Sequence, residues 1–195
     1  MRILQSITLL GLSTAVLLAS PNNKNNPVLQ DVTHKGQKST QLLLKTLGSH
    51  MKKEMKAGGP MNALNFCAKE AYNLTEDVNT KLPKGVTIKR ISTQFRNPAN
   101  KPEAEEAKVL QTFETLQKEH IVLPKHLIQK VSEHVYKFYK PLVIKKQVCL
   151  KCHGDIQNTK LKNAILKKYP LDNAQHYKMG DLRGAVVVTI DESKK

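Results

Sequence analysis

Apolar positions in the first part of the chain recur at helical spacing. After Asp31, a short polar side chain suited to an N-cap, Leu43, Leu44, Leu47, Met51 and Met55 fall on one face and predict a helix over about 31–57. "AGGP" (57–60) ends it, because glycine offers a C-cap and Pro60 can open the next helix. Leu64, Cys67, Ala71, Leu74 and Val78 then step by three, four, three and four, predicting a second helix over about 61–78 whose apolar stripe turns Cys67 inward. "KLPKG" breaks the pattern, and "VTIKRISTQFR" (86–96) is β-rich with partial alternation, as in a strand. "RNPANKP" (96–102) forms a loop, and residues 102–119 form a helix with early acidic residues and Leu110, Phe113 and Leu116 after them. Residues 121–144 are ambiguous, although "VYKFYKPLVI" suits a strand with Pro141 near its end or at a sheet edge. "LKNAILKKYP" suits a short helix or turn, and Ala185–Ile190 is an apolar strand. This order predicts an α+β domain: an antiparallel sheet with the N-terminal helices packed against one side.

The N-terminus changes the compartment. Met1-Arg2, an apolar run from Ile3 to Ala19 and small residues toward Ser20 describe a signal peptide over 1–20, with an uncleaved anchor as the alternative. The run is short for a full span. A polar linker over 21–30 then leaves 31–195 as a single domain, which a 39% hydrophobic fraction can supply with one core. The expected location is periplasmic or secreted, with membrane attachment only if the N-terminal segment is retained. The net charge of +16 comes from scattered lysines rather than one block. It reads as a solvated surface, or as attraction to an acidic partner, and export disfavours nucleic acid.

Export also frames the cysteines. Three is an odd number, which argues against a disulfide framework. Two of them lie in "KQVCLKCHG" (146–154), the attachment pattern of a c-type haem. Cys149 and Cys152 can each form a thioether to a porphyrin vinyl group, and His153 then lies under the iron. Zinc held by Cys149, Cys152, Cys67 and His153 is a rival, but adjacent Cys and His ligands are awkward in a tetrahedron. A redox dithiol is another, but it lacks a surrounding βαβ pattern. The 5% aromatic content, without Trp, suits a core in which a porphyrin supplies flat apolar bulk. Candidates for the second axial position are Cys67, Met51, Met55, Met61, Met179, His34, His50, His120, His126, His134 and His176. Methionine or histidine is the usual choice. Met51 and Met55 read as core, and His34 and His126 as exposed. Cys67 reads either as a structural buried thiol or as a thiolate ligand that would favour ferric iron.

Four segments together resemble a bacterial family of secreted or membrane-tethered haem c proteins with a PAS-like fold, catalogued as a domain of unknown function and also found as the sensor part of histidine kinases. They are "ALNFCAKEA" (63–71), "KRISTQFRNPANKPEAEE" (89–106), "YKPLVIKKQVCLKCHGD" (139–155) and "YPLDNAQHYKMGDLRGAVVV" (169–188). The resemblance spans about 42–190 and departs near position 176, where a glycine is expected and His176 stands. It implies one covalent haem c on Cys149 and Cys152, with His153 and Cys67 as axial ligands. Arg96 and Arg183 are candidates to pair with haem propionates, since guanidinium matches carboxylate in a bidentate fork, or else are structural arginines bonding loop carbonyls. The expected function is redox or small-gas (CO or NO) sensing with a redox or signalling protein partner, and the alternative is an electron carrier. No acid–base constellation of a haem enzyme is legible, so catalysis is not expected.

Overall fold

The computed structural model describes residues 26–194, so the expected signal peptide or anchor over 1–20 and the first half of the expected linker lie outside the described residues. The rest of that linker is helical. Asn26 Oδ1 accepts from the backbone N–H groups of Val28 (3.0 Å) and Leu29 (3.2 Å), and Pro27 occupies the first turn, so helix α1 runs Pro27–Lys69. Asp31 is therefore no cap but an interior residue paired with Lys35 at 2.7 Å. The expected break at "AGGP" is a kink within α1, where Gly58 and Gly59 leave helical geometry and Gly59 takes φ 68. Helix α2, Ala71–Asn79, follows a further irregularity at Glu70 (φ −120), which splits the expected helix of 61–78.

The stripe on α1 also differs from expectation. Leu43 and Leu47 are buried, Met55 is half-buried, and Leu44 and Met51 are exposed. The buried line is Val32, Gly36, Ser39, Thr40, Leu43 and Leu47. Its spacing is helical, but half of it is glycine, serine and threonine, so hydrophobic periodicity alone misplaced the packed face.

Four strands form one antiparallel sheet in the order β1-β4-β3-β2: β1 Val86–Ile91, β2 Leu127–Lys130, β3 Val135–Val143 and β4 Leu182–Asp191. The last strand is thus central, with Val188 opposite both Ile88 and Phe138. Its apolar run suits a strand covered on both faces. Val186, Val188 and Ile190 pack with Val86, Ile88, Phe138 and the α1 residues Leu43 and Phe66, while Ala185 and Val187 pack with Tyr139 and with Leu110 and Phe113 of helix α3, Ala104–Lys118. The N-terminal helices cover one face as expected, and α3 covers the second. The architecture is α+β and PAS-like, as the sequence pattern and the resemblance implied. Pro141 sits in β3 beyond the stretch that β2 pairs, which ends at Tyr139, so its missing N–H interrupts no ladder there. The outer strand β1 is capped sideways by Asn79, which accepts from Ile88 N (2.7 Å) and donates to Ile88 O (3.1 Å). The remaining helices are α4, Gln147–His153, and α5, Thr159–Lys168. None of the described helices is long and apolar enough to cross a membrane.

Two contacts fix the helices on the sheet. At Gly36, α1 rides so close to β3 that an added Cβ would lie 2.3 Å from Phe138 Cγ. On the other face, the fully buried Glu106 accepts from Glu103 N (2.9 Å) and from Lys137 Nζ (2.8 Å), and lies 3.0 Å from Lys89 Nζ. Glu103 joins the same two lysines at 2.7 and 3.0 Å. Hydrogen bonds from Lys89 and Lys137 hold the Glu103 carboxyl down at about 2.

Gly36→Ala is expected to destabilise the fold by about 1–3 kcal/mol through overpacking, with Phe138→Leu in the same chain recovering part of the loss, as chemical denaturation would show. Because the Glu103 carboxyl is depressed in the folded state, its contribution is complete above the unfolded glutamate value of about 4.3 and is lost as pH falls toward 2. The denaturation midpoint of the wild type should therefore drop across that window, and that of Glu103→Gln should drop less.

Candidate functional site

Helix α4 carries the Cys149, Cys152 and His153 triplet, and its seven residues have no side-chain N-cap. It is held from its C-terminal end instead. Gly154 N donates back to Leu150 O (2.9 Å), Arg96 donates to Cys152 O (2.7 Å), and Tyr177 N donates to His153 O (2.9 Å). One helical turn places Cys149 and Cys152 three residues apart on one side. His153 Nδ1 lies 3.0 Å from Ala174 O. A carbonyl can only accept, so Nδ1 carries the proton and Nε2 keeps its lone pair, the tautomer a metal requires. Tyr177 meets the imidazole edge-on at 6.3 Å. Burial, with the nearby charges of Arg183 and Arg96, pushes the His153 pKa down to about 3, so the ring is neutral.

The two arginines expected at propionates are bonded to protein. Arg96 Nε donates to Asp172 Oδ1 (2.9 Å), and its terminal nitrogen NH2 donates to Asp172 Oδ2 (3.1 Å), Cys152 O (2.7 Å) and Ala174 O (3.1 Å). Arg183 donates to Ser92 Oγ (2.8 Å) and Gln94 O (3.1 Å), and its guanidinium stands 5.3 Å from the Tyr177 ring centre. Both brace the loops around α4, which is the structural role weighed beside the propionate one.

Cys67 lies on the segment of α1 beyond the kink, partly buried against the core of the α1 face. Burial pushes its thiol pKa up, while the charges of Arg90 and Arg96 pull the other way. Burial raises the Cys152 thiol as well, and Cys152 feels both Cys67 and Cys149. All three cysteines are free thiols, and Cys67 and Cys152, more than eighty residues apart in the chain, are close enough to act on each other electrostatically. Among the described residues, no group of three or more His, Cys, Asp or Glu side chains is arranged to hold a metal ion.

Of the other candidates for a second axial position, Met61 alone packs against the same cluster as Cys152, that of Leu64, Leu161, Ile165 and Tyr169. Met51, Met179, His34, His50, His120, His134 and His176 are exposed. His126, expected to be exposed, is instead partly buried and stacked on Phe138 at 4.8 Å. His176 pairs with Asp155 on the surface and takes φ 65, the left-handed conformation that makes a glycine suitable at that position.

One charged residue of the site escaped the sequence reading. Arg90 shares the inward phase of β1 with Val86 and Ile88, beneath Cys67, and its Nε is buried without a hydrogen-bond partner. Burial pushes its pKa down, and the ionisable groups acting on it are Cys67 and Tyr169, neither of them a carboxylate. Burial pushes the Tyr169 phenol up to about 12. The period-two pattern Val86, Ile88, Arg90 was the available signal: a cation on the apolar phase of a strand.

Among curated proteins none matches the chain. A solved structure described as the cyanobacterial heme-protein Tll0287 is similar over 87% of this chain and 99% of that one, with 22% identity and a TM-score of 0.59. A likeness at that identity establishes the fold. The profile of the Tll0287-like family matches residues 23–191, from just before the cap of α1 to the end of β4, and the chain belongs to that family.

Proposed function

We propose that this chain is a periplasmic or secreted c-type haem protein that senses redox state or a small gas. The observation that carries the reading is the neutral His153 whose Nδ1 is tied to Ala174, next to two free thiols on one helical turn and facing the same neighbourhood as Cys67. The residues fit the group. Cys149 and Cys152 would supply two nucleophilic sulfurs for covalent attachment, His153 Nε2 and Cys67 Sγ would supply donors of different charge to the iron, and Arg90 has a buried Nε without a hydrogen-bond partner among the described residues. Bound haem would supply one-electron chemistry and a site for diatomic gases.

This chain's own residues set the direction. As a thiolate, Cys67 would favour the oxidised metal by adding negative charge in a partly buried place. The same charge would be poorly supported beside a reduced metal, so Cys67 is the donor suited to leave room for CO or NO. His153 is suited to remain, because Ala174 O fixes its ring and α4 is braced by Arg96. The PAS-like sheet gives such a change a scaffold, with a redox or signalling protein as the recipient. A second reading, an electron carrier, is favoured by one observation: Lys145, Lys146 and Lys151 are exposed on and beside α4, where an acidic partner could dock close to the site. In either reading the role is binding and exchange rather than catalysis.

Purified from a host that matures c-type haem, the chain is expected to retain haem after denaturation. Cys67→Ala should abolish a low-spin thiolate signature in the electron paramagnetic resonance spectrum, and an unchanged spectrum would place another residue on the iron, with Met61 the first to test. Reduced protein is expected to bind CO with a change in its visible spectrum. Indifference to CO, with rapid salt-dependent electron exchange with an acidic partner, would establish the carrier instead.

A further inference from the structure

Among the described residues, Arg90 is the charged side chain with a buried polar atom that has no hydrogen-bond partner. Its backbone belongs to β1, opposite Val186 of the central strand, and its side chain lies on the sheet face that α1 covers. Its Nε is shut off from solvent and bonded to nothing among the described residues. The two other arginines near α4 are engaged: Arg96 with Asp172 and two backbone carbonyls, Arg183 with Ser92 and Gln94. A guanidinium nitrogen buried without a partner costs free energy, and proteins keep one only where something compensates it. Its ionisable neighbours, Cys67 and Tyr169, are a thiol and a phenol, and no carboxylate is among them.

The compensating anion therefore comes with a ligand. A guanidinium presents parallel N–H donors matched to the two oxygens of a carboxylate. We propose that Arg90 is the residue that binds a propionate carboxylate of the tetrapyrrole held by α4. This assignment rests on the haem reading given above and deepens it: Arg96 and Arg183 shape the protein around α4, and Arg90 recognises the cofactor. It also gives the strand a reason to carry a cation at a position where Val86 and Ile88 set an apolar pattern.

The test uses the haem-loaded full chain. Resonance Raman spectra of the wild type, Arg90→Gln and Arg90→Lys report the propionate bending modes, and redox titration reports the reduction equilibrium. In Arg90→Gln the propionate band is expected to shift and the equilibrium to move about tenfold toward ferric iron, about 59 mV for a one-electron couple, because a positive charge near the metal is lost. Arg90→Lys, which keeps the charge but not the fork, should retain most of the potential and still shift the band, and it carries the test if Arg90→Gln does not fold. Unmoved propionate bands in both variants would overturn the assignment. A changed axial signature in electron paramagnetic resonance with unmoved bands would overturn it too, placing Arg90 on the Cys67 sulfur. Wild-type protein without haem would defeat the haem reading itself, an outcome separate from either of these.

Discussion

The contact on which the site depends is the ion pair between Arg96 and Asp172. Arg96 leaves the loop after β1, Asp172 lies between α5 and β4, and both side chains are almost wholly withdrawn from water. Burial alone would raise the Asp172 carboxyl. Hydrogen bonds from Arg96, Ala174 N and Gln175 overcome that tendency and keep it ionised. A desolvated pair of this kind is tolerable only when its remaining valences are filled. Here they are filled by the groups that define the site: Cys152 O at the end of α4, and Ala174 O, which also receives His153 Nδ1–H. One guanidinium thus fixes the end of the short helix, the loop beside it and the orientation of the imidazole. Helix α4 is too short to be stable by its own hydrogen bonds and has no side-chain cap, so it needs this external hold.

The sheet sets the distances between these parts. With β4 in the centre, the C-terminal strand orders β1 on one side and β3 on the other, and β3 leads directly into α4. Both faces are covered, and they are held differently. On the α1 face the contact is steric, with Gly36 seated on Phe138. On the α3 face it is electrostatic, with Glu103 and Glu106 shared by Lys89 and Lys137. The cysteine site lies on the α1 side, where the segment of α1 beyond the kink brings Cys67 over β1. The bend at Gly58 and Gly59 re-aims the part of α1 that carries Cys67.

What could be read from the chain alone was whatever depends on near neighbours. The spacing of Cys149, Cys152 and His153 is local and survives any tertiary arrangement. The break in helical geometry at Gly58 and Gly59, though a kink rather than a helix end, the helix bearing Leu110 and Phe113, and the apolar final strand were legible because period and turn chemistry act over a few residues. The start of α1 was missed by four residues because Asn26 and Pro27 looked like part of a polar linker. Its packed face was mislocated because Gly36, Ser39 and Thr40 are buried by close approach to the sheet rather than by their own hydrophobicity.

Only the tertiary structure decided what each charged or sulfur-bearing side chain meets. Spacing turned Cys67 inward, but its approach to the α4 thiols required the kink, the sheet and a chain separation that no local pattern encodes. Arg96, Arg183 and Arg90 are equivalent letters in the sequence. Folding gives the first a buried carboxylate, the second a serine, a carbonyl and a tyrosine face, and the third a buried Nε with no hydrogen-bond partner among the described residues. The physical reason is that periodicity reports which way a side chain points, whereas its electrostatic role depends on partners delivered from distant strands and loops.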